Sequence, residues 1–265
     1  MKKIIIKFRL AVIYRYKFFI AFLMFFPAVA VSGMNPAEIR KNHPDLLKPD
    51  GIICPDMRLA VSEKIIALTL DACSGEYDQK IIQILKKNNI SATIFAAGKW
   101  IDRNKNIFSE LAADKLFLIA SHGLKHRPCF LEKTNVFGIS GTDGIEELFE
   151  ETAGNAEKIE KLTGIRPVFF RSGTGWYDKN ALKIIELMGF IPAGWNTPAN
   201  DYSEKLSADI IIKSLSLACP GSIIIAHLNH PSGNTAEALE VWIPSVIRQG
   251  YKFVKLGEYR IICTP

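Results

Sequence analysis

From Lys64 onward, short apolar runs alternate with amphipathic stretches. The first run, Ile65 to Leu70, is rich in Ile, Leu and Thr and predicts a buried strand. Similar runs predict strands over 91–97, 116–120, 167–171, 190–195, 222–226 and 251–255. The intervening stretches predict helices over 78–88, 104–113, 145–163, 179–188, 208–217 and 235–248. In the first helix, Ile81, Ile82, Ile84 and Leu85 form an apolar stripe opposed by Gln79, Gln83, Lys86 and Lys87. Gly164 closes the helix over 145–163, and Ser207 caps the one that starts at 208. Residues 127–143 read as a loop. Sustained alternation predicts a parallel sheet. Seven strands buried on both faces favour a closed or nearly closed barrel over an open sheet. No GxGxxG follows the first strand, which argues against a dinucleotide fold. Residues 32–62 contain four prolines and read as a lead-in segment, with a short helix within 36–47. The barrel domain is placed at 63–258 and a C-terminal tail at 259–265.

Charge changes this picture only at the start of the chain. The formal net charge is +6, but Lys2, Lys3, Lys7, Arg9, Arg15 and Lys17 fall in residues 1–31, which hold no acidic residue. Without those six, 27 basic residues face 27 acidic ones, so the remainder is close to neutral. The basic balance therefore gives no ground for nucleic acid as a partner, and no basic patch is interleaved with aromatics. The basic stretch is followed by the apolar run Phe18 to Phe26, then Pro27 and Ala28-Val29-Ala30. This is the pattern of a secretory signal peptide over 1–31, with cleavage near Ala30. The run is short for a membrane span of about 20 residues. The expectation is an exported protein, periplasmic or secreted, with no stable membrane span after cleavage. Five cysteines, Cys54, Cys73, Cys129, Cys219 and Cys263, leave at least one unpaired in a monomer. Cys54 and Cys263, near the two ends of the mature chain, are the candidate pair. Cys73 reads as a small buried thiol rather than a nucleophile, because no nucleophile signature surrounds it.

Candidate chemistry collects at the ends of the predicted strands. The first exit gives Asp71. The third gives Ser121-His122-Gly123-Leu124-Lys125-His126, and the fourth gives Arg171 to Tyr177. The fifth gives Trp195 to Tyr202, including Asp201, and the sixth gives His227 and His230. In a parallel barrel these exits share one face, where ligand and catalytic groups concentrate. Four of the five histidines fall there, and only His43 lies elsewhere. His122 and His126 are four apart, a spacing that suits two ligands of one divalent metal.

These residues resemble the polysaccharide deacetylase family, carbohydrate esterase family 4, over roughly residues 63–258. Thr69-Leu70-Asp71-Ala72-Cys73 stands where that family has Thr-Phe-Asp-Asp-Gly. His122 to His126 matches its His-(Ser/Thr)-x-x-His, and Arg171 to Gly175 resembles its third motif, centred on an Arg. Trp195 with Asp201-Tyr202 resembles the fourth motif, a Trp followed by Asp-(Trp/Tyr). Ile225-Ala226-His227 matches Leu-x-His. The resemblance implies the fold class α/β, a deformed parallel (β/α)7 barrel in a single domain. It also implies hydrolysis of acetyl groups on chitin-like glycans, peptidoglycan or xylan. Asp71 would be the general base and His227 the general acid, with Arg171 and Asp201 orienting them. His122 and His126 would hold a divalent metal, with zinc expected. Tyr177, Trp195, Tyr202 and His230 are candidate substrate contacts.

Ala72 departs from the family pattern, because the second Asp is normally the third metal ligand. Three alternatives stay open. Asp71 ligates directly; Glu76 or Asp78 comes in from the following loop; or the site works without metal. The expected function is an exported C–N hydrolase that removes N-acetyl groups from a glycan. The rivals are a metal-independent amidohydrolase and a carbohydrate-binding protein that has lost turnover.

Overall fold

The computed structural model describes residues 33–263, so the signal-peptide reading of residues 1–31 lies outside the described residues. The core of the fold is a parallel sheet whose central strand β1, Ile65–Ala72, is buried along its whole length. The other strands are β2 (Ala92–Ala96), β3 (Phe117–Ser121), β4 (Phe169–Phe170), β5 (Ile191–Pro192), β6 (Thr197–Pro198), β7 (Ile223–His227) and β8 (Lys252–Val254). Seven of them lie in the order β5-β4-β3-β2-β1-β7-β6, and β8 also pairs with β1. Every pairing among these strands is parallel.

The helices are α1 (Gln79–Lys87), α2 (Gly98–Arg103), α3 (Lys105–Ala113), α4 (Gly144–Thr163), α5 (Lys179–Leu187), α6 (Ala208–Leu215) and α7 (Thr235–Arg248). The architecture is the deformed (β/α)7 barrel that the strand–helix alternation implies. It departs from the sequence pattern where the barrel closes. The predicted strand 190–195 is only two residues long, and a second piece follows at Thr197–Pro198. The first piece pairs with β4 and the second with β7, at opposite ends of the strand order. One short stretch of chain thus supplies the strands at both edges of the sheet. Pro192 and Pro198 fit these positions, because proline is tolerated at sheet edges. Also not legible in the pattern were α2, which precedes α3 directly, and a small hairpin, Asn135–Val136 with Ile139–Ser140, inside the predicted loop.

The lead-in segment is ordered by pairing. Asn35 and Glu38 form a reciprocal capping box at the start of the helix Pro36–Asn42. Ile52–Ile53 pairs antiparallel with Tyr177–Asp178, and Met57–Leu59 pairs antiparallel with Ile261–Cys263. Cys263 stands opposite Met57, past Cys54 along the chain, and all five cysteines are free. The candidate pair Cys54–Cys263 therefore does not form. Among the described residues, no helix is long and apolar enough to cross a membrane.

Strand alternation divides the core. Ile66, Leu68, Leu70 and Ala72 pack with Ile81, Leu85, Trp100, Leu239 and Trp242, between sheet and helices. Ile65 and Ala67 point the other way and pack with Phe95, Ala120, Phe169 and Ile223. Thr69 and Asp71 share this second parity, so Asp71 looks into the barrel. Register then lines up the strand ends. Asp71 is opposite His227, Ala72 opposite Ala96, Ala96 opposite Ser121, and Ser121 opposite Phe170. The residues at or just beyond these positions, Asp71, His122, Arg171 and His227, emerge at one rim.

The position of Ala72 generates a prediction. An aspartate there would bury a carboxylate among aliphatic side chains. Ala72→Asp is expected to destabilise the protein by about 2–4 kcal/mol in denaturant unfolding. An Ala72→Asp variant as stable as the parent would show that residue 72 does not sit on the aliphatic face of the sheet.

Candidate active site

Arg171 is the most deeply placed charged group, with 0 % exposure. Its Nη1 donates to Asp71 Oδ1 at 2.6 Å and to Thr69 Oγ1 at 3.0 Å. Its Nε and Nη2 donate to the carbonyl oxygens of Ala193 at 2.9 Å and Gly194 at 3.2 Å. The Phe95 ring lies 4.1 Å from the guanidinium carbon and the Trp195 ring 5.2 Å from it. The guanidinium therefore joins the ends of β1 and β4 to the stretch that follows β5. It fixes one oxygen of Asp71 and leaves the other, Oδ2, 3.4 Å from His122 Nε2.

The backbone of Arg171 orients that imidazole. His122 Nδ1 lies 2.9 Å from the Arg171 carbonyl oxygen. A carbonyl can only accept, so Nδ1 carries the proton and Nε2 presents its lone pair. Nε2 faces both Asp71 Oδ2 and the sulfur of Cys73, the latter at 3.5 Å. Three electron-rich atoms converge there, which calls for a proton or a metal cation between them. Burial works against a charged His122, but the Asp71 carboxylate and the Cys73 sulfur prevail and raise its pKa. Burial likewise favours the neutral Cys73 thiol, yet His126 and His122 hold its pKa well below the usual value.

His126 packs edge-on against His122, with ring centroids 4.7 Å apart. The ligand atoms of Cys73, His122 and His126 all lie within 4.8 Å of one another. One sulfur and two nitrogens form a donor set suited to zinc. The sequence reading did not consider Cys73 as a ligand. The signal was the period of the strand: residue 73 has the parity of Asp71, and Ala72 has the opposite one. Of the alternatives for a third ligand, Asp71 is held by Arg171. Asp78 accepts from the Lys80 backbone N–H at 3.0 Å and caps α1. Glu76 is exposed, and its carbonyl takes the indole N–H of Trp100 at 3.3 Å.

On the strand next to Asp71, His227 Nδ1 sits 2.8 Å from Asp201 Oδ1. The other Asp201 oxygen accepts from the His227 backbone N–H at 2.7 Å and from Thr235 Oγ1 at 3.0 Å. With Nδ1 spent on Asp201, Nε2 of His227 is left to face Cys73. Burial disfavours the imidazolium, but its hydrogen bonds to Asp201 and to the Cys73 sulfur outweigh this and raise the pKa well above the ordinary value. The pair contributes stability that is complete below the ordinary imidazole range and is lost as pH rises through the raised pKa.

The candidate substrate contacts divide. Tyr177 is 1 % exposed, and its phenol oxygen accepts from the Ser172 backbone N–H at 2.8 Å. It is a core residue and offers no face to a ligand. Trp195 is half-buried and covers Gly175, where a Cβ would fall 2.2 Å from the indole. Tyr202 is 69 % exposed. His230 is half-buried, with its ring 5.5 Å from that of His227. Its neighbour Asn229 accepts from the Cys73 backbone N–H at 3.3 Å and so ties the two loops together.

Comparison with known proteins agrees with this geometry. The family model for polysaccharide deacetylase matches residues 58–193, a little over half of the chain. The uncharacterized protein YlxY of Bacillus subtilis is 26 % identical over 88 % of this chain and 63 % of its own length. The chain thus spans less than two thirds of that relative. The peptidoglycan-N-acetylglucosamine deacetylase of Bacillus cereus is 29 % identical over 72 % of this chain and 66 % of its own. Among solved structures, the Bc1960 peptidoglycan N-acetylglucosamine deacetylase superposes with a TM-score of 0.66. It is 28 % identical and the match covers 76 % of this chain and 90 % of the other. BA3943 from Bacillus anthracis, described as a CE4 family pseudoenzyme, superposes with a TM-score of 0.64 at 24 % identity, over 76 % of this chain and 67 % of the other. With the family model spanning this much of the barrel, and its motifs gathered at one rim, the chain belongs to the polysaccharide deacetylase family.

Proposed function

We propose that this protein is an exported deacetylase that removes N-acetyl groups from a glycan, with peptidoglycan the favoured substrate class. The relatives named for activity on peptidoglycan support the substrate. What supports the reaction is that Asp71 and the Asp201-backed His227, register partners on neighbouring strands, both border the Cys73, His122 and His126 donor set.

Cys73, His122 and His126 would hold a divalent metal, zinc by the softness of the sulfur donor. Such an ion supplies Lewis-acid polarisation of the acetyl carbonyl and lowers the pKa of an adjacent water. The chain's own residues perform the proton transfers. Asp71 Oδ2, its partner oxygen tied to Arg171, takes the proton of the attacking water. His227, kept protonated by Asp201, delivers a proton to the departing amine nitrogen. Acetate and a free amino sugar result. Tyr202 and Trp195 offer flat faces to the sugar, and His230 lies beside the acid.

A second reading follows from the likeness to the pseudoenzyme: a glycan-binding protein without turnover. Acetate release from N-acetylated peptidoglycan fragments, with and without a chelator, separates the readings. Deacetylation that stops with chelation and returns with zinc is expected. Chelator-insensitive release would favour a metal-independent amidohydrolase, and glycan binding without acetate would favour the second reading. Asp71→Asn and His227→Ala are each expected to lower kcat by about a hundredfold or more. Asp201→Asn is expected to lower the pKa of His227 and so move the alkaline limb of the kcat–pH profile to lower pH. An unmoved limb would remove His227 from the role of acid.

A further inference from the structure

The loop that carries both imidazoles is shaped by a group outside every motif. Glu151 lies within α4 and is 1 % exposed. Its Oε1 accepts the backbone N–H of Lys125 at 3.1 Å and that of Arg127 at 2.9 Å, and its Oε2 also accepts from Lys125 at 3.0 Å. Its own carbonyl takes the N–H of Leu124 at 2.8 Å. The side chains of Lys125 and Arg127 reach past it, to Glu150 and Glu147. The buried carboxylate is therefore satisfied by main-chain donors of one loop.

Those donors flank His126, whose φ is +60°. A non-glycine residue in that region costs on the order of 1–2 kcal/mol and persists only where its surroundings impose it. The N–H groups on either side of His126 are both fixed by the same carboxylate. Gly123, with φ +79°, completes the fit, since a Cβ there would fall 2.1 Å from Glu151 Oε1. The family pattern has Ser or Thr at this place; here the glycine leaves that volume to the carboxylate. One turn further along α4, Asn155 donates to the Ala96 carbonyl and to Ser121 Oγ, both at 2.9 Å. The helix is thereby locked to the ends of β2 and β3. Burial raises the pKa of Glu151 against the lowering effect of its N–H donors.

We propose that Glu151 is the positioning residue of the metal site, the template that holds the His122–His126 loop in its ligating conformation. The inference rests on the reading that these imidazoles bind metal. It is tested with Glu151→Gln, which keeps the size but replaces an acceptor oxygen with a donor group, and with Glu151→Ala. The exposed neighbour Glu150→Gln is the control. Two quantities are measured: zinc affinity by chelator competition, and amide hydrogen exchange in the metal-free protein. Both Glu151 variants are expected to bind zinc about 10- to 100-fold more weakly. Amides of Lys125 and Arg127 are expected to exchange at least about tenfold faster, consistent with the loss of a hydrogen bond. The remaining amides of α4 stay protected, and Glu150→Gln matches the parent. If the parent itself binds no zinc, the metal reading fails, and the exchange rates alone decide the role of Glu151. Parent-like exchange at Lys125 and Arg127, or loss of protection spread through α4, overturns the proposal.

Discussion

The site depends on one buried ion pair. Arg171 has no exposed surface, and its partner Asp71 is almost as deeply placed. A guanidinium in such a position is tolerable only when its donors are used, and here they meet a carboxylate, a hydroxyl and two carbonyls. Removing one partner of such a pair costs about 3–5 kcal/mol, because a charge is left uncompensated. The same residue controls Asp71, the proposed base, and the first imidazole. Its side chain fixes the rotamer of Asp71, and its carbonyl fixes the tautomer of His122. Structural order and chemical readiness are therefore one arrangement.

A second constraint comes from the pleat of β1. Successive side chains alternate, and Ala72 falls on the face packed against helices. The group that joins the imidazoles is one residue further along, at Cys73. Where the family pattern has an acidic ligand this chain has the buried Ala72, and a softer donor stands one residue further along, at Cys73. Thiolate with two imidazoles shifts preference towards zinc, relative to a site with a carboxylate in that place.

Much of this was legible in the sequence, for physical reasons. Strands appeared as apolar runs because both faces of a parallel sheet are covered. Strand-end residues could be gathered at one face because parallel strands share a direction. What escaped depended on three-dimensional detail. Cys73 has no nucleophile or metal-site spacing around it in the sequence, and only the strand parity it shares with Asp71 turns it to the site. Tyr177 looked like a sugar platform, but its phenol is spent on the Ser172 N–H within the same turn. Asp78 looked like a ligand, but it opens α1 as a cap. Glu151 carried a faint signal: it sits on the stripe of α4 with Leu148, Thr152, Asn155 and Ile159, all buried. A glutamate on a buried stripe needs partners, and only the fold shows that they are the main chain of the histidine loop.

The central claim of the proposed function is that a sulfur, Cys73, takes the place of an oxygen donor in the metal site proposed for this member of the polysaccharide deacetylase family. X-ray absorption at the zinc edge reads the ligand shell directly. The account predicts one sulfur at about 2.3 Å and nitrogens at about 2.0–2.1 Å, with the sulfur lost in Cys73→Ser. A parent spectrum fitted by nitrogen and oxygen alone would contradict it.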